Sequence, residues 1–180
     1  MISTEKVYTK LIKEVLSTDE VLNTFDELEP VDLEFMISRW RGAEVQTHHP
    51  LNGFLEATNW YGKEFVSADQ VHPLLFTNGN NNIFKVAPNP TATKFALRFP
   101  ILKSKHLQPM FKLVTVLSKT EVSHARIRMM EYRHKVSATM IYDNLPINDI
   151  FRKIDEDTVL GLMDQKGVPN PFFFILKRDK

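Results

Sequence analysis

The chain has no cysteine among its 180 residues, which excludes a disulfide framework, a thiol nucleophile and a Cys-ligated zinc centre. It also has almost no net charge. Lys plus Arg number 23 against 22 Asp plus Glu, so no broad field draws in nucleic acid or an anionic membrane, and neither is expected as a partner. No apolar run approaches the ~18 residues that a membrane helix needs, so no integral membrane segment is expected. The opening MISTEKVYTKLIKEVL carries Glu5, Lys6, Lys10 and Lys13 where a signal peptide would hold its apolar stretch, and a cytoplasmic setting follows as the expectation. Metal-ligand spacing is missing too. His48 and His49 are adjacent and would point to opposite faces of a strand, and neither H-x-H nor H-E-x-x-H occurs. No metal and no cofactor are therefore predicted, with haem on a lone His72, His124 or His134 left as a minor alternative. Asp155-Glu156-Asp157 lacks the spaced ligands and glycine of a calcium loop, and there is no G-x-S-x-G elbow, P-loop or dinucleotide fingerprint.

What is present is ordinary globular material: 43% hydrophobic and 25% charged residues, far from the composition of disorder. The length suits a single compact domain over 1–180. Val7, Leu11, Ile12 and Leu16 fall at helical spacing behind Ser3 or Thr4 as cap, and Val21, Leu22, Phe25 and Leu28 repeat the pattern after Thr18 until Pro30 ends it. From Leu33 the periodicity is ambiguous, and Leu51, Phe54, Leu55 and Trp60 could share one face of a further helix. Beyond them, Val71 to Phe76 and Ile83 to Val86 flank Asn78-Gly79-Asn80-Asn81-Asn82, a strong turn. Phe95, Leu97, Phe99 and Ile101 alternate as a strand with Arg98 on the other face, and Leu107, Met110, Phe111, Val114 and Leu117 read as helical. The last third reads as a meander of strands at 125–132, 136–142, 158–163 and 172–177. Helices followed by turn-spaced strands predict an α+β fold, mainly antiparallel β, closed as a calycin/lipocalin-like β-barrel with N-terminal helices.

Within Ser38-Arg39-Trp40-Arg41-Gly42, Trp40 and Gly42 match two fixed positions of the motif that gives the GXWXG family its name, while Ser38 stands where that family has glycine. The segments Asn59 to Phe65 and Val71 to Phe76 extend the likeness. Downstream, Ala125 to Arg128, Ala138 to Asp143, Pro146 to Arg152 and Leu160 to Asp164 are similar to the domain of unknown function that usually follows. The chain thus resembles a GXWXG-like part over 33–90 and its companion β-rich part over 91–178. Arg133-His134 departs from the Arg-Gly more usual in that companion after the Tyr. The resemblance implies a fold but no established chemistry.

Candidate binding residues are those that combine aromatic surface with positive charge. Trp40, Trp60, Tyr61 and Lys63 can stack on a ligand and neutralise an acidic head, or Trp40 can simply close the core with an arginine over its indole. Arg126 and Arg128 share a strand face, which either lines the interior, where they would clamp a carboxylate or phosphate, or faces solvent. Arg133 and Tyr142 complete the set. Asp149 reads as a cap of a following turn, and Arg152 as its partner or that of Asp143. Thirteen Phe and seven Met are available to line a pliable cavity. The expected function is therefore to bind a small, largely apolar and possibly acidic molecule in a barrel cavity. An enzyme acting on a small hydrophobic substrate, with Tyr142, Asp143, and Arg133 or a histidine in its pocket, or a partner-binding regulatory module, are the alternatives. Oligomeric state is not legible.

Overall fold

The computed structural model describes residues 4–78, 82–91 and 117–180. The strand predicted around Phe95 to Ile101 lies outside the described residues, as does the helix predicted over Leu107 to Leu117 except for Leu117 itself. The architecture is a closed eight-stranded antiparallel barrel with a few helices. Its staves are β2 (Ser38–Glu44), β3 (Trp60–Phe65), β4 (Val71–Thr77), β6 (Ala125–Tyr132), β7 (Lys135–Tyr142), β8 (Ile147–Asp155), β9 (Thr158–Gln165) and β10 (Phe172–Arg178). Each stave pairs with the next in this order, and β10 closes on β2, Leu176 lying opposite Gly42. Two short strands stand off the ring: β1 (Glu29–Pro30) pairs with β8, and β5 (Ile83–Lys85) forms a hairpin with β4. The β4–β6 seam is thin. It has one registered pair, Val71 opposite Ala125, reinforced where the Ala68 carbonyl accepts from the Ile127 N–H at 2.9 Å and from Arg128 Nη1 at 2.7 Å.

Helices α1 (Thr4–Lys13) and α2 (Thr18–Glu27) lie against the outside of the barrel. Ser17 caps α2 in a reciprocal box with Glu20, satisfying two N–H groups that the helix cannot. Leu11, Leu16, Val21 and Phe25 pack on Ile150, Ile154, Leu160, Leu162, Phe173 and Ile175, the outward residues of β8 to β10. Those strands are buried on both faces, since Phe151, Val159, Phe172 and Phe174 point into the lumen. That double burial accounts for the unbroken apolar run Phe172 to Leu176 and for the concealment of β8, which with β2 and β3 makes three staves that the sequence does not announce. Over 147–155 the expected turn is in fact β8, and Asp149 is an inward strand residue, not a cap. With Ile150, Arg152 and Ile154 covered by helices, β8 has no polar/apolar alternation, and its Asn148-Asp149 pair mimics a turn. Arg152 pairs with neither Asp143 nor Asp149. It is fully buried beneath α2, gives Nη2 to the Tyr132 carbonyl at 2.9 Å, and lies 4.8 Å from the Phe25 ring centre.

Two short helices sit at the ends of the chain's first hairpin: α3 (Leu33–Met36) before β2 and α4 (Phe54–Ala57) before β3. The predicted helical face from Leu51 to Trp60 is thus only one turn long, and Trp60 opens β3. Glu44 fixes α4, its carboxylate accepting from the N–H groups of Gly53, Leu55 and Glu56. Among the described residues no helix is long and apolar enough to cross a membrane.

Candidate functional site

Inside the barrel, Trp40 is wholly buried, donates Nε1–H to the Met36 carbonyl at 2.8 Å, and is covered by the Arg178 guanidinium 4.4 Å from its ring centre. With Phe35 at 6.0 Å it packs into the core at one end. Phe65 and Phe151 meet edge to face at 5.6 Å and fill the neighbouring part of the lumen.

The next inward residues on these two strands are Lys63 and Asp149, and their strands lie diametrically opposite in the ring of eight. Lys63 Nζ crosses the lumen to within 2.9 Å of Asp149 Oδ2. Both side chains are buried, with 4% and 1% of their surface exposed, so this is an ion pair in an apolar interior. The ammonium also donates to the Pro73 carbonyl at 3.2 Å and to Tyr142 Oη at 3.5 Å. Three rings surround it: Phe174 at 4.9 Å, and Trp60 and Tyr142 at 5.7 Å from their centres. Burial raises the Asp149 carboxyl above the usual range, with Lys63 opposing that rise. Burial, and then the nearby Asp149, push the Tyr142 hydroxyl well above its ordinary value. Neither Asp149 oxygen accepts a well-directed hydrogen bond from a described residue, so Lys63 meets Oδ2 as a charge contact, and Trp60 Nε1 likewise has no partner there.

On the far side of the pair from Phe65 lies a cavity of about 150 Å³. Its wall is almost wholly apolar: Leu51, Phe54 and Leu55 around α4, Leu74 and Phe76 on β4, Leu145 and Ile147 near β8, and Met163, Phe172 and Phe174. Lys63, Tyr142 and Asp149 supply its buried polar corner, with Trp60 beside them.

Two glycines make this geometry possible. A β-carbon on Gly42 would lie 2.2 Å from the Trp60 indole, so the bare backbone there is the seat of that ring. At Gly62, φ is +152° and a β-carbon would fall 1.9 Å from the Trp40 carbonyl. The β3–β4 register shifts around Gly62, and the bulge turns Trp60 and Lys63, three positions apart, to the same face.

These contacts give the motif Trp40-x-Gly42 its physical meaning. A GXWXG protein family model matches residues 23–80, and the model of a domain of unknown function, DUF4334, matches residues 123–178, in the order the sequence suggests. The chain belongs to the GXWXG family. A crystal structure of a protein from Thermomonospora curvata is similar over 100% of both chains, at 30% identity and a TM-score of 0.74. No curated protein matches the chain. The GXWXG segment supplies β2 to β4 and the DUF4334 segment β6 to β10, so the Lys63–Asp149 pair also joins the two family segments across the lumen. Ser38, where the family has glycine, sits in ordinary strand backbone opposite Phe65, and the positive φ angles of non-glycine residues fall at His48, Asn59, Arg133 and His134.

Of the sequence candidates, the cavity brings together Trp60, Lys63 and Tyr142. Trp40 lies beyond them in the packed end. Tyr61 points outward, donating to Asp179 Oδ2 at 2.8 Å beneath Arg41. Arg126 and Arg128 alternate with buried Ala125 and Ile127, so they face outward, toward Asp143 and Asp69 respectively. Arg133 grips Asp26 of α2 through Nε at 2.7 Å and Nη2 at 2.5 Å. None of these three arginines lines the cavity. His72 is buried and its pKa lowered, first by burial and then by Lys85. Asp149 is the residue that sequence reasoning misplaced, and the signal available for it was its place in the segment Pro146 to Arg152 together with Tyr142.

Proposed function

We propose that this GXWXG protein binds a small, largely apolar molecule inside its barrel, with the ligand's polar end against Lys63, Tyr142 and Asp149. The observation that carries the reading is the buried ion pair at the inner end of an apolar cavity. Elsewhere in the lumen the protein fills space with Phe and Trp; here it keeps two charges out of water, which is expensive unless the polar corner is used. The volume supports a ligand of about one ring, since cavities of this size in other proteins take up benzene. The lipocalin-like character expected from the sequence belongs to this reading, as does the cytoplasmic setting, which rests on sequence alone.

Native mass spectrometry of the protein as purified, followed by denaturing extraction, tests it. One small lipophile per chain supports the reading. A bare chain that also fails to take up any member of a panel of one-ring compounds contradicts it.

A second reading is favoured by one observation: Lys63 and Asp149 form a titratable pair within hydrogen-bond reach, and the Asp149 carboxyl is raised. Such pairs move protons in enzymes. Prolonged incubation distinguishes the two, because a carrier returns its ligand chemically unchanged and an enzyme does not.

A further inference from the structure

The binding reading leaves open what polar group the ligand carries, and the hydrogen-bond inventory of the cavity narrows it. The obvious partner for a buried lysine is an anion. Yet Lys63 already has a carboxylate at 2.9 Å, a carbonyl at 3.2 Å and a phenol oxygen at 3.5 Å. Two of its donors rest on neutral oxygens, and its charge is matched by Asp149. An anionic ligand would sit beside the negative Asp149 and leave the site with a net negative charge.

The unfilled groups are different ones. Both Asp149 oxygens lack a well-directed hydrogen-bond donor among the described residues, Oδ2 being held by the Lys63 charge. The Tyr142 oxygen accepts from Lys63, and its own O–H finds no acceptor there. Trp60 Nε1–H is also unpartnered. All three side chains line the cavity. The corner therefore lacks a donor for its carboxylate and can supply two donors of its own. A hydroxyl has one donor and two lone pairs, which is that complement. A carbonyl or ether accepts only and leaves Asp149 unanswered. A hydrocarbon leaves all three groups unpaired, and buried unpaired groups are where a site's discrimination originates.

Resting on the binding reading, we infer that the ligand is a neutral hydroxyl compound, a phenol or alcohol of about one ring, whose O–H is donated to Asp149 and whose oxygen accepts from Tyr142 or Trp60. The apolar remainder occupies the wall formed by Leu74, Phe76, Met163 and Phe172.

Isothermal titration with probes of matched shape tests the inference: 4-methylphenol, 1,4-dimethylbenzene, 4-methylanisole and 4-methylbenzoate. The expected result is that 4-methylphenol binds at least tenfold more tightly than each of the others. Tyr142→Phe should shrink that margin. The paired substitution Lys63→Met with Asp149→Leu, which leaves no charge unpaired, should abolish it while leaving affinity for 1,4-dimethylbenzene within about threefold. Equal binding of the phenol and the dimethylbenzene, or an unchanged margin in the paired variant, overturns the hydroxyl assignment and leaves the binding reading standing. Tightest binding of 4-methylbenzoate overturns it in favour of an acid. Failure of all four to bind removes the binding reading itself, and the assignment with it.

Discussion

Replacing Lys63 with methionine removes one end of the ion pair and leaves Asp149 buried, and the cost can be worked from the site. At 2.9 Å and an effective dielectric of about 20, the attraction is roughly 6 kcal/mol, a gain offset by several kcal/mol of desolvation for each ion. The pair as a whole is therefore close to neutral for stability. Breaking it is not. In Lys63→Met the carboxylate's cheapest recourse is to take up a proton, which costs about 1.4 kcal/mol for each pH unit above its ordinary value of about 3.9. The predicted loss is about 4 kcal/mol at pH 7 and about 1.5 kcal/mol at pH 5. The sign follows from linkage: a carboxyl raised in the native state holds its proton better there than in the unfolded chain, so stability declines as pH rises through the window between the two values. In the wild type the same decline is smaller, because Lys63 opposes the rise. Asp149→Asn should show the reverse trend, recovering as pH rises. Lys63→Met with Asp149→Leu should lie within about 1 kcal/mol of wild type or above it. Urea denaturation of the four proteins from pH 5 to 9 measures all of this. A Lys63→Met loss below about 1 kcal/mol at pH 7, or one independent of pH, refutes the reasoning.

Three further outcomes follow from the packing. Trp40→Ala should cost about 3 to 5 kcal/mol in urea denaturation while the folded fraction keeps its cavity ligand, because Trp40 lies beyond the ion pair; loss of ligand at undiminished stability would make it a binding residue. Gly42→Ala drives a methyl group into the Trp60 indole and should cost about 1 to 3 kcal/mol with a shift in indole fluorescence as the ring is displaced. His134→Gly should stabilise the protein by about 1 kcal/mol, since Arg133 and His134 adopt φ of 50° and 63° in the two-residue β6–β7 turn and glycine takes that conformation without a β-carbon clash; an unchanged denaturation midpoint would contradict it.

Much of the barrel was legible because most of its strands carry a period-two pattern or sit between strong turns. Ala125–Tyr132 alternates openly, since its outward face meets water, and its bounds emerge to the residue. Strand β8 was hidden by the helices that cover its outer face. The site divided along the same line. Trp60, Lys63 and Tyr142 were candidates through residue type, but strict alternation places Trp60 and Lys63 on opposite faces, and only the bulge at Gly62 unites them. The arginines looked equally suitable in sequence. Whether Arg126 faces in or out depends on which of two interleaved sets is apolar, and Ala125 with Ile127 decided that. Asp149 could not be recognised from its own neighbours, because its partner lies across the lumen on a strand 86 positions earlier in the chain.

The central claim is that the cavity beside Lys63, Tyr142 and Asp149 is where a ligand sits. Methyl-labelled NMR with 4-methylphenol as probe tests this most directly. Shifts are expected at the methyl groups of Leu74, Leu145, Ile147 and Met163, which line the cavity, and none at Leu11, Val21 or Ile175 in the outer layer under the helices. Shifts spread over that outer layer, or confined to the surface, with the cavity methyls unmoved, would contradict it.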